Sequence, residues 1–176
     1  MAFDLKSISS TQSARALFAL TYGTSGVGKT TFAADMPNPV FIQTEDGAGS
    51  LTLQAFPLAK SYDDVMSGIT ALCEKHDYKT VVIDSLDHLE PLIWKKVCQD
   101  NNVKSIEQLT YGKGYTMALD LWRELLSGLR HLRDSQGMNV LLISHHEIRK
   151  HSDPELEQID RYQIKLHAKA SALVQE

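Results

Sequence analysis

Four short runs of apolar residues, each followed by a glycine or by polar residues, organise this sequence. The runs are Leu17–Tyr22, Val40–Thr44, Thr80–Ile83 and Val140–Ile143. Short runs of this kind, rich in β-branched side chains, are typical of strands that are buried on both faces of a sheet. The pattern therefore predicts four strands in the interior of the protein.

Segments with apolar residues at helical spacing separate these runs and follow them. Strands that alternate with helices predict parallel βαβ units with right-handed crossovers, in a sheet covered by helices on both faces. In such α/β sheets, ligands bind beyond the carboxyl ends of the strands. The predicted helices begin at Lys29 and Ser61 and span 86–100, 114–134 and 162–176, with polar, irregular chain over 145–160.

Length and composition indicate one ordinary globular domain. The chain has 176 residues, of which 43% are hydrophobic and 23% charged. We expect a flexible, Ser- and Thr-rich arm over residues 1–16 and one domain over 17–176. The formal net charge of −4 means that any contact with nucleic acid must come from a local basic patch.

Nothing in the sequence predicts export or a membrane span. Apolar runs fall short of the roughly 18 residues that a span needs, and the N-terminus lacks the layout of a secretory signal. Cys73 and Cys98 stand singly, without the spacing of metal ligands, and predict buried or half-buried thiols in a reducing compartment. We therefore expect a cytoplasmic protein.

The glycine-rich turn after the first strand carries the strongest chemical signal. Residues 23–30 match G-x-x-x-x-G-K-[ST] in full, between a predicted strand and a predicted helix. Glycines let backbone N–H groups converge on phosphate oxygens, while the lysine binds the β- and γ-phosphates and the threonine hydroxyl binds Mg²⁺. A turn that binds nothing is the disfavoured alternative. The motif predicts ATP and Mg²⁺ on Gly23, Thr24, Ser25, Gly26, Val27, Gly28, Lys29, Thr30 and Thr31.

Two carboxylates follow the next two strands. Asp84 ends a strand whose other residues must be buried, so its charge needs a partner, and it suits the Walker B role of holding Mg²⁺. A helix cap is its alternative role, although Ser85 could serve as that cap. Glu45 ends the second strand and is a candidate base for the attacking water, with Asp46 as its rival.

Polar residues also follow the fourth strand. Ser144 and His145 would lie beside the phosphate site if this strand is inserted between the first and the third, and they could sense the γ-phosphate. The alternative is a zinc site, and its four candidate residues lack a recognised ligand spacing. Those candidates are His145, His146, Glu147 and His151, while His76, His88, His131 and His167 are expected on helix surfaces.

The order of these motifs resembles the RecA-like P-loop ATPase core. Closer similarity is to the phage-type nucleotide-binding AAA proteins, which include RecA-like single-strand-annealing recombinases. The similarity covers the chain from about Leu17 onward. The segments that carry it besides the phosphate loop are Phe41–Glu45, Val81–Ser85, Leu142–His145, Tyr111–Tyr115, Gly137–Val140 and Lys165–Ser171.

The resemblance implies a RecA-like fold, with Glu45 activating water and Ser144 and His145 coupling the γ-phosphate to a DNA-binding loop. It implies a DNA-dependent ATPase of phage recombination, encoded by a phage or prophage, that assembles as a homo-oligomer or filament on single-stranded DNA. Two features depart from the family pattern. Ala168 stands where relatives carry a lysine, and the family continues past the last predicted helix, which suggests a shortened C-terminus.

Other functions stay open. A nucleotide-dependent adaptor that hydrolyses little ATP is equally compatible with the motifs, whereas a small kinase is disfavoured because acidic residues dilute the basic ones over 145–161. We expect 145–162 to be mobile and to respond to nucleic acid. Trp122 is expected to pack between helices, and for Tyr111 and Tyr115 both packing and DNA contact stay open. The candidate basic contacts are Arg149, Lys150, Arg161, Lys165, Lys113 and Lys169.

Overall fold

A computed structural model describes residues 15–47, 49, 51–151 and 159–176. The predicted arm therefore lies outside the described residues over 1–14. Among the described residues, no helix is both long enough and apolar enough to cross a bilayer.

Five strands and five helices alternate over most of the described chain, and two short 3₁₀ turns precede α4. The strands are β1 (Phe18–Gly23), β2 (Pro39–Gln43), β3 (Thr80–Asp84), β4 (Asn139–His151) and β5 (Ile159–Ile164). The helices are α1 (Lys29–Ala34), α2 (Tyr62–Ala71), α3 (Leu86–Asp100), α4 (Lys113–Gln136) and α5 (Ala168–Gln175).

The sheet has the strand order β1-β4-β3-β2, all parallel, with β5 added antiparallel to the far half of β4. β4 is inserted between β1 and β3, which is the condition on which the expected position of His145 depends. The register places Gly23 opposite His145 and Asp84 opposite both Ile143 and Gln43. The carboxyl ends of the four parallel strands therefore meet along one edge, where ligands bind in such sheets.

Alternate residues of each strand enter two separate cores, as the pleat of a strand requires. Val81, Ile83 and Leu142 pack into the larger core, to which α2, α3, α4 and α5 contribute. Val82 and Leu141 pack on the opposite face, under α1. The predicted α/β fold, a mostly parallel sheet with helices on both faces, is confirmed.

Local signals fix the ends of two helices. Ser61 caps α2: its hydroxyl accepts the N–H of Asp64, whose carboxylate accepts the N–H of Ser61, which is a complete capping box. Gly137 ends α4 with φ 66°, in the left-handed region that favours glycine. The start of α2 agrees with the sequence prediction, and α4 extends two residues beyond the predicted end at 134.

The prediction of irregular chain over 145–160 is wrong for most of the residues that the structure describes there. β4 continues to His151 and pairs with β5, and the helix predicted from 162 is α5, which begins at Ala168. Residues 152–158 lie outside the description. These strands escaped prediction because they leave the core, so polar side chains replace the apolar ones that identify a buried strand.

Single side chains confirm some predictions and correct others. Trp122 is fully buried, as expected. Tyr115 packs between Trp94 and the parallel ring of His167, whereas Tyr111 is fully exposed, with φ 57°. Cys98 is half-buried as expected, but Cys73 is exposed because it follows the end of α2.

Candidate active site

The loop between β1 and α1 forms the floor of a pocket at the carboxyl edge of the sheet. Gly26 and Gly28 have φ values of 77° and 96°, a backbone conformation that residues with a Cβ rarely adopt. Lys29 folds back over the loop, and its Nζ donates to the carbonyl oxygens of Gly23 at 3.1 Å and Thr24 at 2.8 Å. The ammonium group is thus held at the mouth of the turn, where an anion would replace these contacts.

Thr30 and Asp84 come together beside this loop from α1 and β3. The Thr30 hydroxyl donates to Asp84 Oδ2 at 2.8 Å. Burial raises the pKa of Asp84, and Glu45 adds to the shift, while the Thr30 hydrogen bond and Lys29 oppose it. A bound cation would stabilise the ionised carboxylate. A hydroxyl and a carboxylate are the hard oxygen donors that Mg²⁺ prefers, so the pair fits this ion.

The pocket has a volume of about 190 Å³. Six of the nine predicted phosphate-binding residues line it. Gly23, Thr24 and Val27 do not, and Val27 is exposed to solvent. Glu45 lines the pocket, and its rival Asp46 is exposed. The predicted site residues that line it are Ser25, Gly26, Gly28, Lys29, Thr30, Thr31, Glu45, Asp84 and His145.

Thr44 fixes the position of Glu45 relative to the end of β3. Its hydroxyl donates to the Ser85 carbonyl oxygen at 2.6 Å and accepts the Ser85 N–H at 3.0 Å. The backbone N–H of Thr44 also donates to the Asp84 carbonyl oxygen at 2.8 Å. These bonds hold the two acidic positions on adjacent, connected strand ends.

His145 is held from the side of α3. Its backbone N–H donates to Asp87 Oδ1 at 3.0 Å, and its Nδ1 lies 3.0 Å from Asp87 Oδ2. Burial of Asp87 opposes ionisation, but the bonds from His145 outweigh it and keep the pKa of this carboxyl below its usual value. Asp87 therefore stays ionised and positions the imidazole against the pocket.

Ser144, predicted to act beside His145, is not brought to the pocket. It is fully buried, and its hydroxyl donates to the His145 carbonyl oxygen at 3.1 Å. Successive side chains of a strand face opposite ways, so Ser144 and His145 cannot both face the pocket. For the same reason His145 and His146 point apart, which breaks up the zinc ligand set considered from the sequence.

Sequence reasoning missed two residues of this site, Asp87 and His88. His88 was expected on a helix surface, but its Nδ1 lies 3.2 Å from Glu45 Oε2 and 2.9 Å from the Ser85 hydroxyl oxygen. A signal was available, because both residues fall in the first turn of a helix that begins directly after Asp84. The first turn of a helix that begins directly after a parallel strand lies beside the edge of the sheet where ligands bind.

Comparison with known proteins agrees with this geometry. The family model described as "AAA domain" matches residues 15–176, which is most of the chain. Members of that family are in general nucleotide-binding ATPases that use Mg²⁺. A search of curated proteins gives no match.

Proposed function

The chain belongs to the AAA domain family of P-loop proteins, and on this premise we propose that it binds ATP with Mg²⁺ at the 23–30 loop and hydrolyses the bond between the β- and γ-phosphates. The observation that carries the proposal is the arrangement of Lys29, the Thr30–Asp84 pair and Glu45 around one pocket. These are the groups that phosphoryl transfer to water requires.

Each residue has a distinct part in the proposed reaction. Backbone N–H groups of the loop and the Lys29 ammonium bind the phosphate oxygens, so Lys29 exchanges its carbonyl contacts for the anion. Thr30 and Asp84 would hold Mg²⁺, which when bound neutralises charge on the β- and γ-phosphates. Glu45 orients a water molecule and accepts its proton, and His145, fixed by Asp87, contacts the γ-phosphate.

The Lys29→Ala variant tests the nucleotide site. We expect strong loss of ATP affinity with an unchanged fold, because Lys29 is partly exposed and contributes no core packing. A fluorescent ATP analogue measures binding, circular dichroism measures folding, and Lys95→Ala on the exposed face of α3 is the control. Unchanged affinity in Lys29→Ala would overturn the assignment of the phosphate loop.

We further propose that single-stranded DNA is the partner of this ATPase, in phage recombination or strand annealing and with many copies assembled on one strand. The β4–β5 hairpin supports this proposal, because β4 passes directly from His145 at the pocket into the hairpin. The hairpin exposes Tyr162, a stacking platform for a base, together with the cation Arg161.

The structure changes one detail of the predicted DNA contacts. Arg149 is bound to Glu147 and donates through Nη2 to the Leu166 carbonyl oxygen at 2.9 Å. Its guanidinium therefore holds β4 to the segment after β5. The proposed DNA contacts on the hairpin are accordingly Arg161, Tyr162 and Lys165, all of which are exposed. Lys113 and Lys169 are also exposed and stay candidates, whereas the side chain of Lys150 lies outside the description.

The ATPase rate with and without single-stranded DNA separates the alternatives. The proposal expects slow turnover of ATP alone and faster turnover with a poly-dT oligonucleotide, and Lys29→Ala abolishes both. Binding of ATP without turnover under either condition would favour a nucleotide-dependent adaptor. Phosphate transfer to an added small-molecule acceptor would favour a kinase.

A further inference from the structure

Three side chains from different elements converge at the rim of the phosphate pocket. Glu45 follows β2, His88 lies in the first turn of α3, and His145 lies in β4. Each offers one ligand atom, and these atoms all lie within 4.8 Å of one another. Because the three residues are far apart in sequence, no local sequence motif identifies them.

The donor set differs in chemistry from the Thr30–Asp84 pair. Two imidazole nitrogens with one carboxylate suit zinc and its transition-metal neighbours, whereas Mg²⁺ prefers oxygen donors. A three-ligand site also leaves a coordination position for water or substrate. The pocket therefore contains two sets of candidate cation ligands, which differ in the type of donor atom.

Neighbouring groups support these ligands as they do in metal sites. The Asp87 carboxylate lies 3.0 Å from Nδ1 of His145, which leaves Nε2 of that ring as the nitrogen able to bind a metal. Carboxylates that orient ligating histidines are the usual second layer of zinc sites. The His88 side chain is 45% exposed, and those of Glu45 and His145 are each 21% exposed, so an ion can enter from solvent.

We propose that Glu45, His88 and His145 form a binding site for one transition-metal ion of the zinc type, and that its occupation inhibits ATP turnover. The binding step stands on the geometry alone. The inhibition rests on the proposed function, because a metal that takes the Glu45 carboxylate withdraws the base that would accept a proton from water.

Cobalt supplies a direct probe, because Co²⁺ bound by nitrogen ligands absorbs visible light. The experiment titrates Co²⁺ into tag-free, chelator-treated protein without nucleotide, and then displaces it with Zn²⁺. We expect visible absorbance that saturates at one equivalent of Co²⁺ and that Zn²⁺ abolishes. His88→Ala and Glu45→Gln should lose this absorbance, and Asp87→Asn should bind Co²⁺ about 10- to 100-fold more weakly.

Two controls make the result specific. His131→Ala, on the exposed part of α4, and Thr30→Val, which removes a proposed Mg²⁺ donor, should both keep the cobalt spectrum. An unchanged titration in both His88→Ala and Glu45→Gln would overturn the proposal. So would a loss in His131→Ala as large as that in His88→Ala.

ATP turnover at buffered free Zn²⁺ then tests inhibition. Zn²⁺ should slow the wild type and His131→Ala but leave the rate of His88→Ala insensitive to zinc. Equal inhibition of the wild type and His88→Ala would overturn regulation through this site. An intact cobalt site in a protein with no ATP turnover would refute the proposed function while the metal site stood.

Discussion

Glu45 and Asp46 are neighbours in sequence with different positions in the structure, and they give the sharpest test at the scale of single residues. Glu45 lines the pocket, whereas Asp46 is exposed. We expect Glu45→Gln to keep ATP affinity and to lower turnover by roughly 10²-fold or more, as removal of a general base does. Steady-state phosphate release and nucleotide titration measure the two effects.

Asp46→Asn is the matched control and should turn over ATP at nearly the wild-type rate. The reverse outcome, an inactive Asp46→Asn beside an active Glu45→Gln, would move the base by one residue. Asp84→Asn should behave differently from both, because it weakens Mg²⁺ binding and so lowers affinity and turnover together.

The buried carboxyl of Glu90 predicts that folding stability depends on pH. It is buried in α3, and both of its carboxylate oxygens accept the His167 N–H, at 3.1 and 3.0 Å. Burial raises the pKa of Glu90 from 4.5 to about 7, and the nearby Asp87 and Glu147 add to the shift. Between these two pH values the folded protein retains a proton that the unfolded chain has released.

A raised carboxyl pKa means that stability falls as the pH rises through this window. Glu90→Gln, which cannot ionise, should remove that loss. Its free energy of unfolding relative to the wild type should therefore be roughly 1–3 kcal/mol higher at pH 8 than at pH 4.5. Urea denaturation of the wild type and the variant at both pH values measures the difference. Glu107→Gln, at an exposed position, should retain the wild-type slope.

At this scale, the sequence predicts residues whose roles come from a local motif and misses those whose roles come from long-range proximity. The phosphate loop is contiguous, so its residues could be named directly. His88 meets Glu45 only because β2 and β3 pair in a particular register. The expected role of Ser144 is missed for a related reason. Successive side chains of a strand face opposite sides of the sheet, so Ser144 points away from the pocket that His145 lines.

Helix α4 contains two glycines that allow a test at the scale of elements. Gly114 lies in its first turn, where a Cβ would meet Ile106 Cγ1 at 2.5 Å and the Ile106 carbonyl oxygen at 2.8 Å. Gly128 lies in its interior, where a Cβ would meet the movable Cγ2 of Ile69 at 3.1 Å.

We expect Gly114→Ala to lower the free energy of unfolding by about 1–3 kcal/mol, because the backbone oxygen cannot give way without moving the preceding turn. Gly128→Ala should be nearly neutral, since alanine's better helix propensity, about 1 kcal/mol, offsets the closer contact. Urea denaturation of both variants checks the contrast. A Gly114→Ala protein as stable as Gly128→Ala would show that the 106–114 turn adapts freely.

The elements, like the residues, divide into those that a local sequence pattern predicts and those that only long-range pairing defines. Strands β1 to β3 and the buried half of β4 follow from apolar runs, and the ends of α2 and α4 from caps and glycine. The β4–β5 hairpin could not be found this way. Ile164 is buried in the larger core, but Ile148 and Tyr162 are exposed, so no regular apolar face marks the two strands. The partner strand is identified only by pairing.

At the scale of the whole molecule, the net charge of −4 makes the proposed DNA contact depend on a small basic surface. Arg161 and Lys165 are exposed on and just after β5. We expect Arg161→Glu with Lys165→Glu to weaken binding of a labelled single-stranded oligonucleotide and to reduce the slope of log affinity against log salt by about 1–2.

Fluorescence anisotropy at several salt concentrations, with ATP present, measures both quantities. Lys95→Glu, on the exposed face of α3, changes one charge elsewhere and is the control. An unchanged affinity and slope in the double variant would show that this hairpin is not the DNA surface, and would leave the nucleotide chemistry unaffected.

The place of β4 in the sheet has a consequence for how the chain folds during synthesis. β2 and β3 can pair as soon as both exist, but β1 pairs with β4, and 122 residues separate Leu17 from Asn139. At a synthesis rate of about 5–20 residues per second, roughly 6–24 s pass between the synthesis of β1 and that of β4. During that interval the nascent chain exposes an apolar strand with open edges, so chaperone binding and the risk of aggregation concentrate there, before β4 completes the centre of the sheet.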